Sequence, residues 1–351
     1  MVSIHDLLAS RPVIQAPMAG ACGVDLAIAA IAGGGIGSLP CALPSPAQVI
    51  DQVAAVRAAS GGPINLNFFC HRLVENVDET AWHALLAPYY AEYGVGPPAS
   101  PPPLRRPFDS EMAAVIEQVA PEIVSFHFGL PDNDLLARVR ASGALILSSA
   151  TNVGEAAWLA TAGVDAVIAQ SFEAGGHIGR FLPAPVGTEM GLFALLPLVQ
   201  QAVAVPVIAA GGIANEQGVA AALALGADAV QVGTAYLFCP ESLATPLHRA
   251  LLEGKGEGGI GGTRFTNLIS GGLARGLPNR LIEELGPVND VAPPFPYAAA
   301  ALAELRAAAE AMGRTDFSTL WAGQSAPLGR VEPAEALTRR LVAAARAVRG
   351  G

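Results

Sequence analysis

His127 is the residue of this sequence best placed to do chemistry. It lies in Ser125-Phe-His-Phe-Gly-Leu-Pro131, at the end of an apolar run that predicts a buried strand. An imidazole titrates near neutral pH and can act as a general base. A buried histidine that only bonds a backbone carbonyl is the alternative, but barrel enzymes place catalytic groups at the carboxyl ends of strands. We therefore predict that His127 is catalytic.

Glycines follow three later strand-like runs, at points where a backbone without a Cβ could come close to a ligand. The pairs are Gly175-Gly176 after Asp165–Gln170, Gly211-Gly212 after Pro206–Ala210, and Gly233-Thr234 after Asp228–Val232. A single Gly-Gly pair is mostly turn chemistry. Two Gly-Gly pairs and one Gly-Thr pair, each after a strand-like run, predict an anionic group held by backbone N–H donors, because the last two strands of a barrel commonly bind phosphate.

Polar side chains near these strand ends add candidate ligand contacts. Asn67, Gln170 and Gln231 are amides at or near the ends of buried runs. A buried amide needs hydrogen-bond partners, which a heterocyclic ligand with donors and acceptors can supply. The alternative is an amide that bridges two strand ends inside the protein. His177, after the glycine pair, could line the same site or face solvent.

The elements that would position these residues alternate between strand and helix along most of the chain. Strands are predicted at Pro12–Pro17, Gly35–Leu39, Pro63–Phe69, Glu122–Phe128, Ala144–Ser149, Ala166–Gln170, Val207–Ala210 and Ala229–Val232. Such uninterrupted apolar runs suit strands buried on both faces of a parallel sheet. The pattern predicts an α/β fold, a (β/α)8 TIM barrel. A doubly wound sheet, the alternative, would gather ligand motifs at one switch point.

The 351 residues divide into three predicted parts. Residues 1–241 form the barrel and residues 242–293 form an insertion after the eighth strand that covers the barrel mouth. Residues 294–351 pack back on the barrel as helices at Tyr297–Met312 and Glu332–Val348. The insertion is rich in glycine, with Lys255-Gly-Glu-Gly-Gly-Ile-Gly-Gly262 as its densest run.

Composition and charge argue against several classes of partner. The formal net charge is −10, and of the 20 basic residues only Lys255 is a lysine, so we expect neither nucleic-acid nor membrane binding. The four cysteines lie far apart and predict neither a disulfide framework nor a metal site. The sequence shows no signal-peptide pattern and no apolar run long enough to span a membrane, so we expect a cytoplasmic location.

Six motifs in this order resemble those of the nitronate monooxygenase family, in particular its class I members. They are Pro12-Val-Ile-Gln-Ala-Pro-Met-Ala-Gly20, Asn65-Leu-Asn-Phe-Phe69, Ser125-Phe-His-Phe-Gly-Leu-Pro131, Ala169-Gln-Ser-Phe-Glu-Ala-Gly-Gly-His177, Ala209-Ala-Gly-Gly-Ile213 and Gln231-Val-Gly-Thr234. The resemblance implies a barrel that binds flavin mononucleotide (FMN). It also implies oxidation of alkyl nitronates, and of neutral nitroalkanes if a base removes their α-proton, with O2 to a carbonyl compound and nitrite.

The same resemblance assigns roles to individual residues. His127 matches the family's catalytic histidine, while His177 and Tyr297 would line the substrate site. Cofactor contacts are implied for Ala16, Pro17, Met18, Asn67, Gln170, Gly175, Gly176, Gly211, Gly212, Gln231, Val232, Gly233 and Thr234, with the last four at the FMN phosphate.

Two departures from the family pattern bear on the substrate. Ile178 follows His177 where many relatives carry an arginine, and alanine and leucine follow Tyr297 where relatives carry further tyrosine and lysine. Two other functions stay open at this point. One is an NAD(P)H-dependent flavin reductase for quinones or enoyl thioesters, and the other is a non-flavin isomerase or synthase that binds a sugar phosphate. A monomer and a homodimer are both compatible with the sequence.

Overall fold

Eight runs of buried apolar residues form a parallel barrel in the computed structural model, which describes residues 3–100, 104–185, 187–255 and 262–350. In chain order its strands are β1 (Val13–Gln15), β2 (Gly37–Pro40), β3 (Ile64–Phe69), β4 (Ile123–His127), β5 (Leu145–Ala150), β6 (Ala166–Gln170), β7 (Gly176–His177), β8 (Val207–Ala210), β9 (Ala229–Val232), β10 (Arg264–Thr266) and β11 (Ala274–Gly276). All but β7, β10 and β11 belong to the barrel.

The barrel strands pair in the order β1-β9-β8-β6-β5-β4-β3-β2, and every pair is parallel. A short parallel bridge between Ile14 and Ile36 joins the two ends of this sheet. The result is a nearly closed (β/α)8 TIM barrel, which confirms the predicted fold class. The first strand is shorter than expected, since it ends at Gln15 and the chain then turns away at Ala16.

Helices follow most of the barrel strands, and further helices stand before β1 and after β11. They are α1 (Ile4–Ser10), α2 (Val24–Ala32), α3 (Pro46–Ala59), α4 (Thr80–Tyr93), α5 (Ser110–Val119), α6 (Asn133–Ala141), α7 (Val153–Thr161), α8 (Leu192–Ala202), α9 (Glu216–Ala224), α10 (Pro246–Leu252), α11 (Arg280–Leu285), α12 (Ala298–Ala301), α13 (Ala303–Ala311) and α14 (Ala334–Gly350). Local sequence explains several starts. Ser45 and Gln48 form a complete capping box before α3, with Pro46 in the first turn.

One end of the barrel is closed by apolar packing. Ile4, Leu7 and Leu8 of α1 join the cluster formed by inward-facing strand residues such as Ile14 and Ile208. The helix α1 was not among the predicted elements, although Ser3 caps it by accepting a hydrogen bond from the backbone of Asp6. Among the described residues this packing closes one end of the barrel, so the end where the strands terminate is the one open to a ligand.

A three-stranded antiparallel sheet stands beside that open end. It has the order β10-β11-β7, so it joins the segment after β9 to the loop after β6. Ala274 pairs with His177 and Arg275 with Gly176. Leu243, Thr245 and Ile269, from the segment between β9 and β11, line the cavity at this end. Residues 256–261 of the predicted glycine run lie outside the described residues.

The predicted helix at Tyr297–Met312 is interrupted. It forms α12 and α13, with the break at Leu302. Two side chains of α4 donate hydrogen bonds to backbone oxygens of α12. Trp82 Nε1 donates to the oxygen of Ala298 at 3.3 Å, and the Tyr90 hydroxyl donates to the oxygen of Ala301 at 2.7 Å. None of the described helices is long and apolar enough to cross a membrane.

Candidate active site

A cavity of about 600 Å³ opens at the carboxyl ends of the barrel strands. Because the strands are parallel, their last residues meet at this one end of the barrel. Strand-end residues in the lining are Asn67, Phe69, His127, Ser149, Gln170, Ala210 and Gln231. The segment after β9 adds Leu243, Ala244, Thr245, His248 and Ile269 to the wall.

His127, the last residue of β4, makes two hydrogen bonds that define its tautomer. Its Nε2 lies 3.2 Å from the backbone oxygen of His177, and its Nδ1 lies 3.2 Å from Oγ of Ser149. A carbonyl oxygen only accepts, so Nε2 carries the proton. In the neutral ring Nδ1 is then an acceptor for the Ser149 hydroxyl, which leaves the imidazole with one donor and one acceptor engaged.

Burial keeps His127 uncharged. Desolvation lowers the pKa of its imidazole from 6.5 to about 4, against a smaller opposing effect of the bond to His177. The ring is therefore neutral at neutral pH. An anion bound beside it would raise this pKa, because an opposite charge stabilises the imidazolium.

Gln170 organises the loop that faces His127. Its Nε2 donates to the backbone oxygen of His177 at 3.0 Å, and its Oε1 accepts from the backbone N–H of Gly179 at 2.7 Å. Gly179 lies directly against the imidazole, since a Cβ placed there would be 2.6 Å from Cε1 of His127. Gly179 was not among the predicted site residues, and its role depends on a contact that the sequence pattern does not encode.

Two other strand-end amides face the cavity with different partners. Asn67 donates through Nδ2 to Oγ of Ser125 at 2.9 Å, so part of the amide bridges β3 and β4. Gln231 has a buried Oε1 that finds no partner among the described residues. A buried oxygen without a donor costs free energy, so a ligand N–H at this point would satisfy Gln231.

The ends of β8 and β9 present backbone N–H groups. Gly211 and Gly212 have φ values of +102° and +73°, a conformation open to glycine and strained for other residues. None of the described residues accepts a hydrogen bond from the N–H of Gly212 or Gly233. Thr234 begins a short 3₁₀ helix, Thr234–Phe238. This arrangement is the one that TIM barrels use to bind phosphate.

Two of the predicted glycines also have a packing role. A Cβ at Gly175 would lie 2.5 Å from the backbone N of Gly323, and one at Gly211 would lie 2.4 Å from Oγ of Ser171. The backbone N–H of Gly323 in turn donates to Thr234 Oγ1 at 2.9 Å. Gly175 and Gly211 therefore keep neighbouring segments close together, in addition to lining the cavity.

The remaining predicted site residues are placed as follows. Ala16, Pro17, Met18, Gly176 and His177 line the cavity. His177 is buried, and its Nε2 lies 2.8 Å from Ser270 Oγ, so its ring does not face solvent. Val232 packs in the hydrophobic core. Tyr297 turns away, with its hydroxyl donating to the backbone oxygen of Val74, while Pro296 and Ala299 line the cavity beside it.

Several lining residues carry no signal that the sequence reasoning used. Ser149 is the penultimate residue of β5, which no glycine follows directly, and Arg105 lies in the proline-rich connection before α5. Trp321 comes from the segment before α14 and packs its ring 5.4 Å from that of His177. Only the folded chain brings these residues to the strand ends.

Comparisons with known proteins identify the class of protein that this barrel belongs to. A family model described as Nitronate monooxygenase matches residues 3–344. A nitronate monooxygenase from Paraburkholderia phytofirmans is 42% identical over 337 residues, covering 94% of this chain and 91% of the relative. One from Pseudomonas aeruginosa is 40% identical over 337 residues and covers 95% of each chain.

Solved structures agree with the sequence comparison. Nitroalkane oxidase from Streptomyces ansochromogenes superposes with a TM-score of 0.88 at 35% identity, covering 98% of this chain and 99% of that one. FabK from Thermotoga maritima shares the fold at a TM-score of 0.69 and 24% identity, covering 99% of this chain and 96% of that one. The fold and site define a flavin-dependent oxidoreductase. The chain belongs to the nitronate monooxygenase family.

Proposed function

We propose that this protein is an FMN-dependent nitronate monooxygenase that oxidises alkyl nitronates with O2 to a carbonyl compound and nitrite. The observation that carries the proposal is the position of His127. It ends β4 inside a cavity that also holds strand-end amides and a glycine-rich anion site, in a chain of the matching family.

The residues present fit FMN. The unpartnered Oε1 of Gln231 suits a ring N–H and not the phosphate that the resemblance implies, because an amide oxygen only accepts hydrogen bonds. Ala16, Pro17 and Met18 offer an apolar wall for a flat ring, and the N–H groups of Gly212 and Gly233 suit the phosphate. Bound FMN would supply the electron acceptor for the nitronate and the site of reaction with O2.

The substrate side of the proposal rests on a neutral His127. A nitronate is an anion, and the Nε2–H of His127 can donate to it once the bond to the His177 oxygen is exchanged. Two phenylalanines adjoin the imidazole, with ring centroids of Phe69 and Phe128 at 5.6 Å and 4.6 Å from His127. This apolar surround excludes water and strengthens the attraction between the anion and the donor.

A neutral nitroalkane would need His127 as a base. The Nδ1 lone pair already accepts from Ser149, so rotation of that hydroxyl must come before proton uptake at Nδ1. The low pKa of the imidazole also makes it a weak base before substrate binds. We therefore infer that nitronates are the better substrates and that nitroalkanes are used slowly.

The experiment combines a spectrum with a product assay. Purified protein should show flavin absorbance that extracts as FMN, and should release nitrite from ethylnitronate in air. Flavin bleaching by NADH or NADPH without air, in the absence of nitrite release, would favour a flavin reductase instead. Failure to bind FMN on reconstitution would favour a non-flavin phosphate-binding enzyme.

A further inference from the structure

The cavity lining also contains two arginines, Arg105 and Arg306, which do not contact His127 among the recorded hydrogen bonds. Arg105 lines the cavity from the connection between α4 and α5. Its backbone is held on both sides, because the backbone oxygen of Arg105 lies 3.1 Å from Nε2 of His71 and Phe108 N donates to the backbone oxygen of Phe69 at 2.7 Å. Arg105 is therefore fixed relative to the end of β3.

The guanidinium of Arg105 has no counter-ion among the described residues. Its Nε is buried without a hydrogen-bond partner, and no carboxylate of the described ranges forms an ion pair with it. The next residue differs, since Arg106 is exposed and pairs with Asp109 at 2.6 Å and Glu111 at 2.8 Å. Arg105 is half-buried, and a guanidinium whose Nε is buried without a partner costs free energy, which points to an anion from outside the chain.

The groups around Arg105 do not neutralise it. Arg306 also lines the cavity, and its like charge adds to desolvation in lowering the pKa of Arg105. Burial keeps His71 and His177 neutral at neutral pH by lowering the pKa of each. The acidic residues in the cavity lining, Glu173 and Glu310, form no ion pair with Arg105, and Oε1 of Glu310 accepts from the Ser318 hydroxyl at 2.6 Å.

Aromatic and small side chains separate Arg105 from His127. The ring of Phe295 lies 6.0 Å from the guanidinium carbon of Arg105 and 5.4 Å from the ring of Phe128, which in turn lies 4.6 Å from His127. Ala299, Ala300 and Ala303 line the same wall. These small apolar side chains belong to the lining of the cavity that also contains His127 and the two arginines.

We propose that Arg105 is a specificity-determining residue that binds a terminal carboxylate of the substrate, with Arg306 as a second cation. The preferred substrates are then nitronates that carry a carboxylate at the end of an apolar spacer. This spacer is longer than the single methylene group that separates the carboxylate from the nitronate carbon in propionate 3-nitronate. The guanidinium fork matches a carboxylate in geometry and charge. This assignment of substrate class rests on the proposed function.

The test compares ω-carboxylated nitronates of increasing length with methyl-terminated nitronates of the same length. Wild-type protein should prefer the longer carboxylated members. Arg105→Met should lower kcat/KM for them by roughly 10- to 100-fold, mainly through KM, and leave the methyl-terminated series unchanged. Arg105→Lys should recover part of the loss. Arg106→Met, which removes a neighbouring exposed charge, is the matched control and should change neither series.

Three results would overturn the inference. One is an equal loss for both series in Arg105→Met, and another is a carboxylate preference confined to propionate 3-nitronate. The third is loss of bound FMN from Arg105→Met, which would assign the arginine to the cofactor. Circular dichroism of each variant checks that it folds.

A binding measurement separates this inference from the proposed function. Pimelate, a dicarboxylate that cannot be oxidised as a nitronate, should change the fluorescence of Trp321 in wild type and not in Arg105→Met, since Trp321 lines the same cavity. If no nitronate yields nitrite but pimelate still binds through Arg105, the proposed reaction fails and the anion site stands. If nitronates are oxidised and pimelate binds both proteins equally, the anion site fails alone.

Discussion

Nε2 of His127 lies 3.2 Å from the backbone oxygen of His177, which joins the end of β4 to the loop after β6. The same oxygen accepts from Nε2 of Gln170 at 3.0 Å. Two donors from two strands thus share one acceptor, so the orientation of the imidazole and the position of the loop depend on each other. The loop is held a second time by the bond from Gly179 N to Gln170.

Gly179→Ala should disturb this arrangement. The added Cβ would stand 2.6 Å from Cε1 and 2.9 Å from Nδ1 of His127, so either the ring or the loop must move. We expect nitrite release to fall by at least about tenfold and stability by about 1–3 kcal/mol. Steady-state kinetics and denaturant unfolding measure the two effects.

Gly61→Ala is the control for that substitution. Gly61 lies between α3 and β3, and nothing stands within 4 Å of a Cβ placed there. Its activity should equal that of wild type. If Gly179→Ala also keeps normal activity, the loop accommodates the added methyl group without moving His127. That result would contradict a role of Gly179 in positioning the imidazole.

Gln231→Leu should separate stability from cofactor affinity. In wild type the buried Oε1 of Gln231 has no partner within the described residues. Leucine removes this unsatisfied group, so the FMN-free variant should be at least as stable as the FMN-free wild type. FMN affinity should fall by roughly 5- to 30-fold, because a hydrogen bond worth about 1–2 kcal/mol is lost.

Thermal unfolding without FMN and a fluorescence titration with FMN test this pair of effects. Gln118→Leu on the exposed face of α5 is the composition control. Unchanged FMN affinity in Gln231→Leu would show that the orphan oxygen does not face the cofactor.

Acid should destabilise the protein through its buried histidines. Burial lowers the pKa of His71, His127 and His248 from 6.5 to about 4. Between these values the unfolded chain binds more protons than the folded one, so stability is complete above pH 6.5 and is lost as the pH falls towards 4.

His248→Leu should reduce this loss. Nε2 of His248 has no partner among the described residues, so leucine breaks no recorded bond of that atom. Denaturant unfolding is measured for both proteins between pH 4 and 6.5. The slope of the unfolding free energy against pH should show that His248→Leu takes up about one proton fewer on unfolding than wild type. His5→Leu, exposed on α1, controls for surface effects. Identical pH profiles for wild type and His248→Leu would contradict the assignment.

The barrel could be predicted because each of its strands and helix starts is specified by residues close together in the sequence. Each strand is a continuous apolar run, and motifs such as Ser45 with Pro46 mark helix starts without reference to distant residues. The side sheet could not be predicted. Its strand β7 has two residues, and what defines it is pairing with β11, almost a hundred positions later.

The candidate site divides in the same way. His127 and Gln231 stand at the ends of apolar runs, where strand geometry alone directs them to the mouth. Ser149 and Arg105 reach the cavity through tertiary packing, and Tyr297 turns to Val74 although its neighbours in sequence line the wall. The direction in which a loop side chain points depends on tertiary contacts, so a short sequence motif cannot predict it.

Aerobic turnover of a nitronate tests the central claim most directly. FMN-loaded wild-type protein, mixed with ethylnitronate in air, should consume O2 and release nitrite together with acetaldehyde. His127→Ala should lose activity with nitroethane by about 10²-fold or more and retain more of its activity with the nitronate, which needs no base. The absence of nitrite from the FMN-loaded wild-type protein would contradict the account.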